Sequence, residues 1–510
     1  MATAFLMIRR DSNFRYNNDV SLCRFTMRWI RQPKVCKAVV LAAHLLLAKS
    51  ALANDPFATV DLTAHSAGGS LTRPLSQSEM KPCQFTQQDA PLSLPEAVDR
   101  ALCNNPQTRE AWANARYQAA QVGMAQSTYL PSASLALSTS RNASNGVNLT
   151  TTNGNDVRYT QSSATLSLSY LLYDFGGREA TLENARQILE ATNATQDATL
   201  QSVFLSTVQA YYQWHAAQAT LVASHASEQA SLESLKAAIA RYNAGTATPA
   251  DKLQAQTAAS QATLVRIRAE GDSISVRGVL ANTLGLPADQ RIDVAPPKEN
   301  VVDAHFVEQF ANRVGELIES AKRSRPDLAA AEAQVKAARS SIDIARASGM
   351  PSISLYASGT DTHYSTYDPV RNNIFGITLS VPLFSGFNTT YRVRSAEAQL
   401  DVVTAQRDKL SLQVSLDVWR AYQALQTEIQ AVRAAVDLLE SATQSEKVAQ
   451  GRYRAGVGGI LDLLNAQSAL ASARQQNIQE LYNWRLARVA LAQSMGKLDF
   501  AMLENREVMP

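Results

Sequence analysis

The chain has 510 residues and a formal net charge of +3, long enough for several domains or for one elongated architecture. Residues 1–53 hold nine Lys/Arg against two Asp/Glu, so the positive balance sits at the N-terminus and the remainder is net acidic. That distribution argues against a nucleic-acid-binding protein, and later segments crowded with Ala, Gln, Leu and Ser favour long helices over a compact sandwich. Arg28, Arg31, Lys34 and Lys37 precede the apolar run 38–48, and Ala51-Leu52-Ala53 follows with small residues at cleavage-type positions. The run is too short to span a bilayer. Residues 1–53 are read as a signal peptide, with Met27 as a second natural start. The four cysteines are Cys23, Cys36, Cys83 and Cys103. Only the last two outlast such a cut, and they enter an oxidising compartment. A disulfide between Cys83 and Cys103 is expected, closing a loop of about 20 residues worth on the order of 3 kcal/mol under the chain-entropy model. No later apolar run reaches the ~18 residues of a membrane helix, so a membrane-spanning mature chain has to cross as a barrel.

After an N-terminal extension over 54–92, the chain repeats itself. Asn105-Pro106 and Arg325-Pro326 each sit in a helical stretch, and the stretches end at Leu130-Pro131 and Met350-Pro351. Further on, Leu168-Ser169-Tyr170-Leu171-Leu172-Tyr173 matches Leu379-Ser380-Val381-Pro382-Leu383-Phe384. The same register aligns Tyr211 with Tyr422, Arg241-Tyr242-Asn243-Ala244-Gly245 with Arg452-Tyr453-Arg454-Ala455-Gly456, and Asp251 with Asp462. The expected organisation is a first repeat over 93–285, a linker over 286–312 broken by Pro287, Pro296 and Pro297, a second repeat over 313–496, and a tail over 497–510.

Each repeat reads helix, strand, strand, very long helix, turn, helix. The first helix is expected over 94–127 with Pro95 near its start. In the strands, Ala133, Leu135 and Leu137 alternate with serines, and Leu166, Leu168, Tyr170 and Leu172 alternate with Thr165, Ser167 and Ser169. In the second repeat Ile353 and Leu355 alternate with Ser352 and Ser354. Phe375, Ile377, Leu379 and Val381 alternate there with Gly376, Thr378 and Ser380. Four segments of about ten residues with one apolar and one hydroxyl face suit transmembrane β-strands. An ordinary half-buried hairpin has the same period. Proline-free helices follow over 177–242 and 387–453, each roughly 100 Å long, with return helices over 250–284 and 461–495. Helices of that length need partners throughout, and antiparallel coiled-coil hairpins result. Tyr211, Tyr212 and Trp214 are expected to be packing groups.

From about residue 92 to 498 the sequence resembles the TolC family of outer-membrane efflux and secretion channels. The resemblance rests on the duplicated plan, on Pro131 and Pro351 before the strand pairs, and on Tyr173-Asp174-Phe175-Gly176-Gly177 echoed by Leu383-Phe384-Ser385-Gly386. It rests most of all on the two Arg-Tyr-x-Ala-Gly turns with an Asp downstream. It implies a mixed α/β membrane protein: a trimer whose protomers each give four strands to one 12-stranded β-barrel, continued by an α-helical tunnel through the periplasm of a Gram-negative cell. A periplasmic adaptor and an inner-membrane transporter, ABC or proton-driven, would dock at the tip, and outer-membrane lipid would surround the barrel. Four strands are too few to close a barrel alone, so oligomerisation is needed on physical grounds as well. The Cys83-Gln84-Phe85 region, with Ala101-Leu102-Cys103-Asn104-Asn105-Pro106, resembles a branch associated with type I secretion; multidrug efflux is the alternative. A periplasmic coiled-coil adaptor without a barrel is the rival from another class.

The resemblance places the constriction at the second turn, with Tyr453 tying neighbouring helices. Asp462 and Asp251 fall in the first turn of the return helices, where a carboxylate also simply suits a helix N-terminus. Threefold repetition would make Asp462 an acidic ring attractive to cations. Two positions depart from well-known members: Asn465 stands in place of a second Asp, and Gly458 in place of a basic residue. No catalytic pattern is present. The six histidines, His44, His65, His215, His225, His305 and His363, lack a His-Glu-x-x-His spacing, and neither a phosphate-binding loop nor a nucleophile elbow occurs. No cofactor is expected, and energy has to come from a partner.

Overall fold

Two helix–strand–strand–helix units stand side by side in the computed structural model, which describes residues 55–59, 61–63, 91–144, 157–297, 314–366 and 368–498. The signal segment, Cys83, most of the extension, the loop 145–156, residues 298–313 of the linker and the tail from 499 lie outside the described residues. The first unit comprises α1 (Leu94–Asn104), α2 (Pro106–Ser127), β1 (Ser132–Ser144), β2 (Val157–Tyr173), α3 (Gly177–Asn243) and α4 (Pro249–Thr283). The second comprises α5 (Val314–Ser324), α6 (Pro326–Ala347), β3 (Ser352–Tyr364), β4 (Val370–Ser380), α7 (Asn388–Arg454) and α8 (Ile460–Ser494). Helix lengths match pair by pair: 67 residues in α3 and α7, and 35 in α4 and α8.

The opening helix expected over 94–127 is two helices. Asn105 has φ −61 and ψ 130, outside the helical region, because the ring of Pro106 crowds a helical residue before it. The break is used: the Asn105 side chain accepts from Gln107 N at 2.9 Å and donates to the Thr283 carbonyl at 3.0 Å. Arg325 does the same work before Pro326 with charge. It donates to Asp327 at 2.6 Å and Asp417 at 3.2 Å, and reaches the Ser494 carbonyl at 3.5 Å. Each return helix therefore ends against the break in its own unit. Cys103, one turn before the first break, is disulfide-bonded.

Those junctions require glycine. Gly285 (φ +74) and Gly496 (φ +70) end α4 and α8 in left-handed conformation, and a Cβ on Gly285 would lie 2.7 Å from the Asn104 carbonyl oxygen. Gly285→Ala is expected to cost about 1–3 kcal/mol from the backbone conformation alone, with the backbone clash added. Heat-resistance of the trimer on a gel measures it; a variant melting with the wild type would refute the junction argument.

The strands form one antiparallel sheet in the order β1-β2-β3-β4. Within each unit the hairpins pair as expected, with Leu135 opposite Leu166 and Leu355 opposite Ile377. The β2–β3 pairing joins the two units, placing Leu168 opposite Ala357 and Ser167 opposite Ser358, with a register shift between Leu171 and Tyr173. The apolar sets thus share one face across four strands, and the hydroxyls share the other. The strands are 11–17 residues long rather than about ten, and Val381 lies just past the end of β4. Gly376 lets the Tyr356 ring lie across the hydroxyl face, since a Cβ there would meet its hydroxyl at 2.6 Å.

The apolar face is exposed, with Phe375 at 75% and Ile377 at 65%. In water that patch would be a liability; in a bilayer it is the required surface. Three copies close the edges left by β1 and β4 into the trimeric barrel. No described helix is long and apolar enough to cross a membrane. The main core lies where the short helices meet the long ones, around Val98, Phe204, Val208, Tyr211, Leu280 and Leu284. Tyr211 and Tyr212 are packing groups as expected, and the Tyr211 hydroxyl donates to the Ala295 carbonyl at 2.6 Å. A second core joins Tyr422, Leu425, Trp484 and Leu491 between α7 and α8.

Candidate functional site

The two hairpin tips at the ends of α3 and α7 fold alike because their sequences repeat. After α3, Gly245 (φ +72) allows Thr246 N to donate to the Arg241 carbonyl at 2.9 Å. After α7, Gly456 (φ +79) allows Val457 N to reach the Arg452 carbonyl at 3.0 Å. Both are glycine-terminated helix ends that satisfy the last carbonyls.

The return helices begin differently. Thr248 caps α4 with Pro249 behind it, its hydroxyl accepting from Asp251 N at 3.2 Å. The Asp251 carboxylate accepts from Thr248 N at 2.9 Å, so it is committed to a capping box. In α8 the cap is Gly459, which has no side chain to offer. Asp462 occupies the same third position but is exposed, without a reciprocal hydroxyl. It lines a cleft of about 840 Å³ with Glu440, Arg452, Gly458 and Asn465.

The five tip residues singled out in the sequence therefore divide. Asp462, Asn465 and Gly458 share one cleft. Tyr453 is buried on the other side of α7, among Ala238, Ala255, Ile460 and Leu463. Asp251 stays at its helix end. Sequence reasoning used Arg241 only as part of a motif, yet it connects the two tips. Its guanidinium lies 4.2 Å over the Tyr453 ring and donates to the Tyr453 carbonyl, with the Arg454 carbonyl at 3.5 Å. A cation at the C-terminal carbonyls of α7 also complements the helix dipole. The available signal was a cation in the last turn of α3, and its copy Arg452 lines the cleft instead. Farther from the tip, Gln467 on α8 donates to Ser234 on α3 at 3.1 Å. Farther still, burial and the adjacent Glu480 on α8 hold the Glu428 carboxyl on α7 above its ordinary range.

A sheet with a lipid-type outer face, carried on duplicated hairpins about 100 Å long, is a channel protomer. The model of outer membrane efflux proteins matches residues 97–286 and 317–497, one block per repeat. The chain belongs to this family. Its relatives include Protein CyaE of Bordetella pertussis, 31% identical over 80% of this chain and 84% of that protein. They also include the probable efflux pump outer membrane protein TtgC of Pseudomonas putida, 27% identical over 79% and 83%. Among solved structures, the Campylobacter jejuni CmeC outer membrane channel superposes with a TM-score of 0.69, at 19% identity over 79% of this chain and 85% of that one. VceC of Vibrio cholerae gives 0.67 at 19% identity over 79% and 96%. These structural likenesses show the fold. The efflux-protein family is one of outer-membrane channels rather than enzymes, working with periplasmic adaptors and inner-membrane transporters. The barrel sits in the Gram-negative outer membrane and the helices extend into the periplasm.

Proposed function

We propose that this channel is the exit duct of a type I secretion system, passing unfolded polypeptide from an ATP-driven inner-membrane transporter and its adaptor. The observation that carries this reading is the barrel lining. Ser134, Ser167, Ser354, Ser358 and Thr378 share the inner face, on which no described strand residue is charged. An unfolded chain presents both charge signs, and an uncharged hydroxyl wall retains neither. Identity to Protein CyaE, 31%, exceeds the 27% to TtgC and the 24% to Outer membrane protein TolC of Escherichia coli, which supports a branch apart from them. The Cys83–Cys103 bridge would pin the N-terminal extension to α1. In the trimer the second-repeat tips form the gate: Asp462 supplies one acidic ring, and Tyr453 with Arg241 holds the tip closed. Asn465 and Gly458 leave the gate without a second ring and without a latch from its own turn.

Deleting the gene tests this. One large polypeptide should disappear from the culture medium and accumulate in the cell, with drug sensitivity unchanged. An unaltered set of secreted proteins with sharply increased drug sensitivity would replace this reading with multidrug efflux.

A further inference from the structure

Within one chain, the two hairpins are joined near their tips by three contacts. Arg241 on α3 clasps Tyr453 by its ring and its carbonyl. Two turns back along α3, Ser234 meets Gln467 of α8 at 3.1 Å. Its neighbour Leu235 packs against the cluster that holds Leu463 and Tyr453. In each contact α3 presents the first residue, and the second comes from the hairpin of α7 and α8.

Every one of these residues has a counterpart in the other repeat. α3 and α7 correspond residue for residue, from Gly177 with Asn388 to Asn243 with Arg454. α4 and α8 correspond in the same way, from Pro249 with Ile460 to Thr283 with Ser494. The exchanged contacts therefore pair Arg452 with Tyr242, Ser445 with Gln256, and Glu446 with Lys252. The first two keep their residue types, and the leucines become a carboxylate and an ammonium. Both versions of the third contact are complementary, one apolar and one charged.

A single chain leaves this second set unused. Arg452, Ser445, Gln256 and Tyr242 are all exposed. Among the described residues Arg452 has no ring or carbonyl to hold, although it borders the cleft beside Asp462. Lys252 lies over the Tyr242 ring of its own chain at 5.2 Å, without a carboxylate. An apolar row runs along the same side of α4. Leu253, Leu264, Ile267 and Ile274 are exposed there, at the spacing of a coiled-coil seam. On α8 the counterparts of the row's two ends are covered by α3. Leu464 packs on the tip cluster, and Arg485 is buried against Tyr212.

We propose that the exchanged contacts form between protomers, with α7 of one laid along α4 of the next. Arg452 then clasps Tyr242 of the neighbour, Ser445 bonds Gln256, and Glu446 pairs with Lys252. A second copy of this chain is the occupant because the sheet already fixes the order. β2 meets β3 within a chain, and trimer closure sets β4 beside β1 of the next protomer. The second repeat of one protomer thus neighbours the first repeat of the next. A guanidinium held by a ring and helix-terminal carbonyls gains from stacking and from the helix dipole. Each tip is accordingly latched on both flanks, by Arg241 within the chain and by Arg452 between chains. The seam rests on trimeric assembly and is independent of what the channel carries.

Cysteine cross-linking of trimer purified from outer membranes tests the seam. Ser445→Cys combined with Gln256→Cys should give covalent dimers and trimers on a denaturing gel without reductant. Ser234→Cys combined with Gln467→Cys should instead cross-link within the chain and run as monomer. A charge exchange tests the contact without cysteines. Lys252→Glu and Glu446→Lys should each lower the temperature at which the trimer dissociates, and the double exchange should restore it. Arg452→Ala should lower that temperature too, with Arg452→Lys recovering part, whereas Arg241→Ala should leave it unchanged. The proposal is overturned by a Ser445–Gln256 pair that yields only monomer while the intrachain pair forms. It is equally overturned if the double exchange is no more stable than the single variants, or if Arg452→Ala dissociates with the wild type.

Discussion

Arg241→Ala should open the resting channel. The side chain makes a charge-assisted contact to the carbonyls ending α7 and stacks on Tyr453. Such a hydrogen bond is worth about 1.5–3 kcal/mol, and a partly exposed cation–π contact adds roughly 0.5–1 kcal/mol. The threefold axis repeats the loss at each tip. Since 1.4 kcal/mol is a factor of ten in an equilibrium, the open fraction should rise by at least about tenfold. Single-channel recording in planar bilayers reads this directly. Arg241→Lys should restore only part of the closure, because an ammonium neither forks nor stacks as a guanidinium does. Tyr453→Phe should behave as wild type, since the ring and backbone carbonyl make the contact. If Arg241→Ala conducts as the wild type does, the clasp is packing and the gate is held elsewhere.

Asp462→Ala should abolish block by a trivalent cation added from the periplasmic side. Three carboxylates at a narrow mouth add their attraction for one multivalent ion, and Asp462 is exposed in its cleft beside Asn465. Asn465→Asp should strengthen the block by supplying a second ring one turn along. Asp251→Ala should leave it unchanged and cost about 0.5–2 kcal/mol at the start of α4 instead, because that carboxylate closes a capping box. Block that survives Asp462→Ala would make Asp462 another helix-end charge.

Much of this was legible in the sequence because period and repetition are local signals. Alternation fixed which face of each strand is apolar, and Pro131, Gly245 and Gly456 marked where helices stop. The parts that escaped depend on contacts between distant segments. Nothing in β2 or β3 alone announces that Leu168 will meet Ala357, and the helix break at Asn105 was overlooked although Pro106 marks it. At the tips, equal spacing made Asp251 and Asp462 look equivalent. Their different cap residues, Thr248 and Gly459, set them apart, and that difference could have been read from the sequence. Arg241 stayed inconspicuous because its target is a backbone carbonyl in the other repeat, and carbonyls have no signature in a sequence.

The β2–β3 seam carries a consequence for how the assembly forms. Each repeat supplies two strands, so the closed barrel is a ring of six quasi-equivalent hairpins, with seams between neighbours alternating in kind. Three seams, the β2–β3 pairings, are internal to a chain. The other three, β4 against β1 of the next copy, are made by diffusion. Were the repeats separate polypeptides, closing the ring would take five successive encounters, each with its own loss of translational freedom. Joining them in one chain reduces that to two. Half of the seams then form at an effective concentration set by the connecting chain rather than by the number of subunits in the periplasm. Barrel closure should accordingly depend far less steeply on expression level than six-part assembly would.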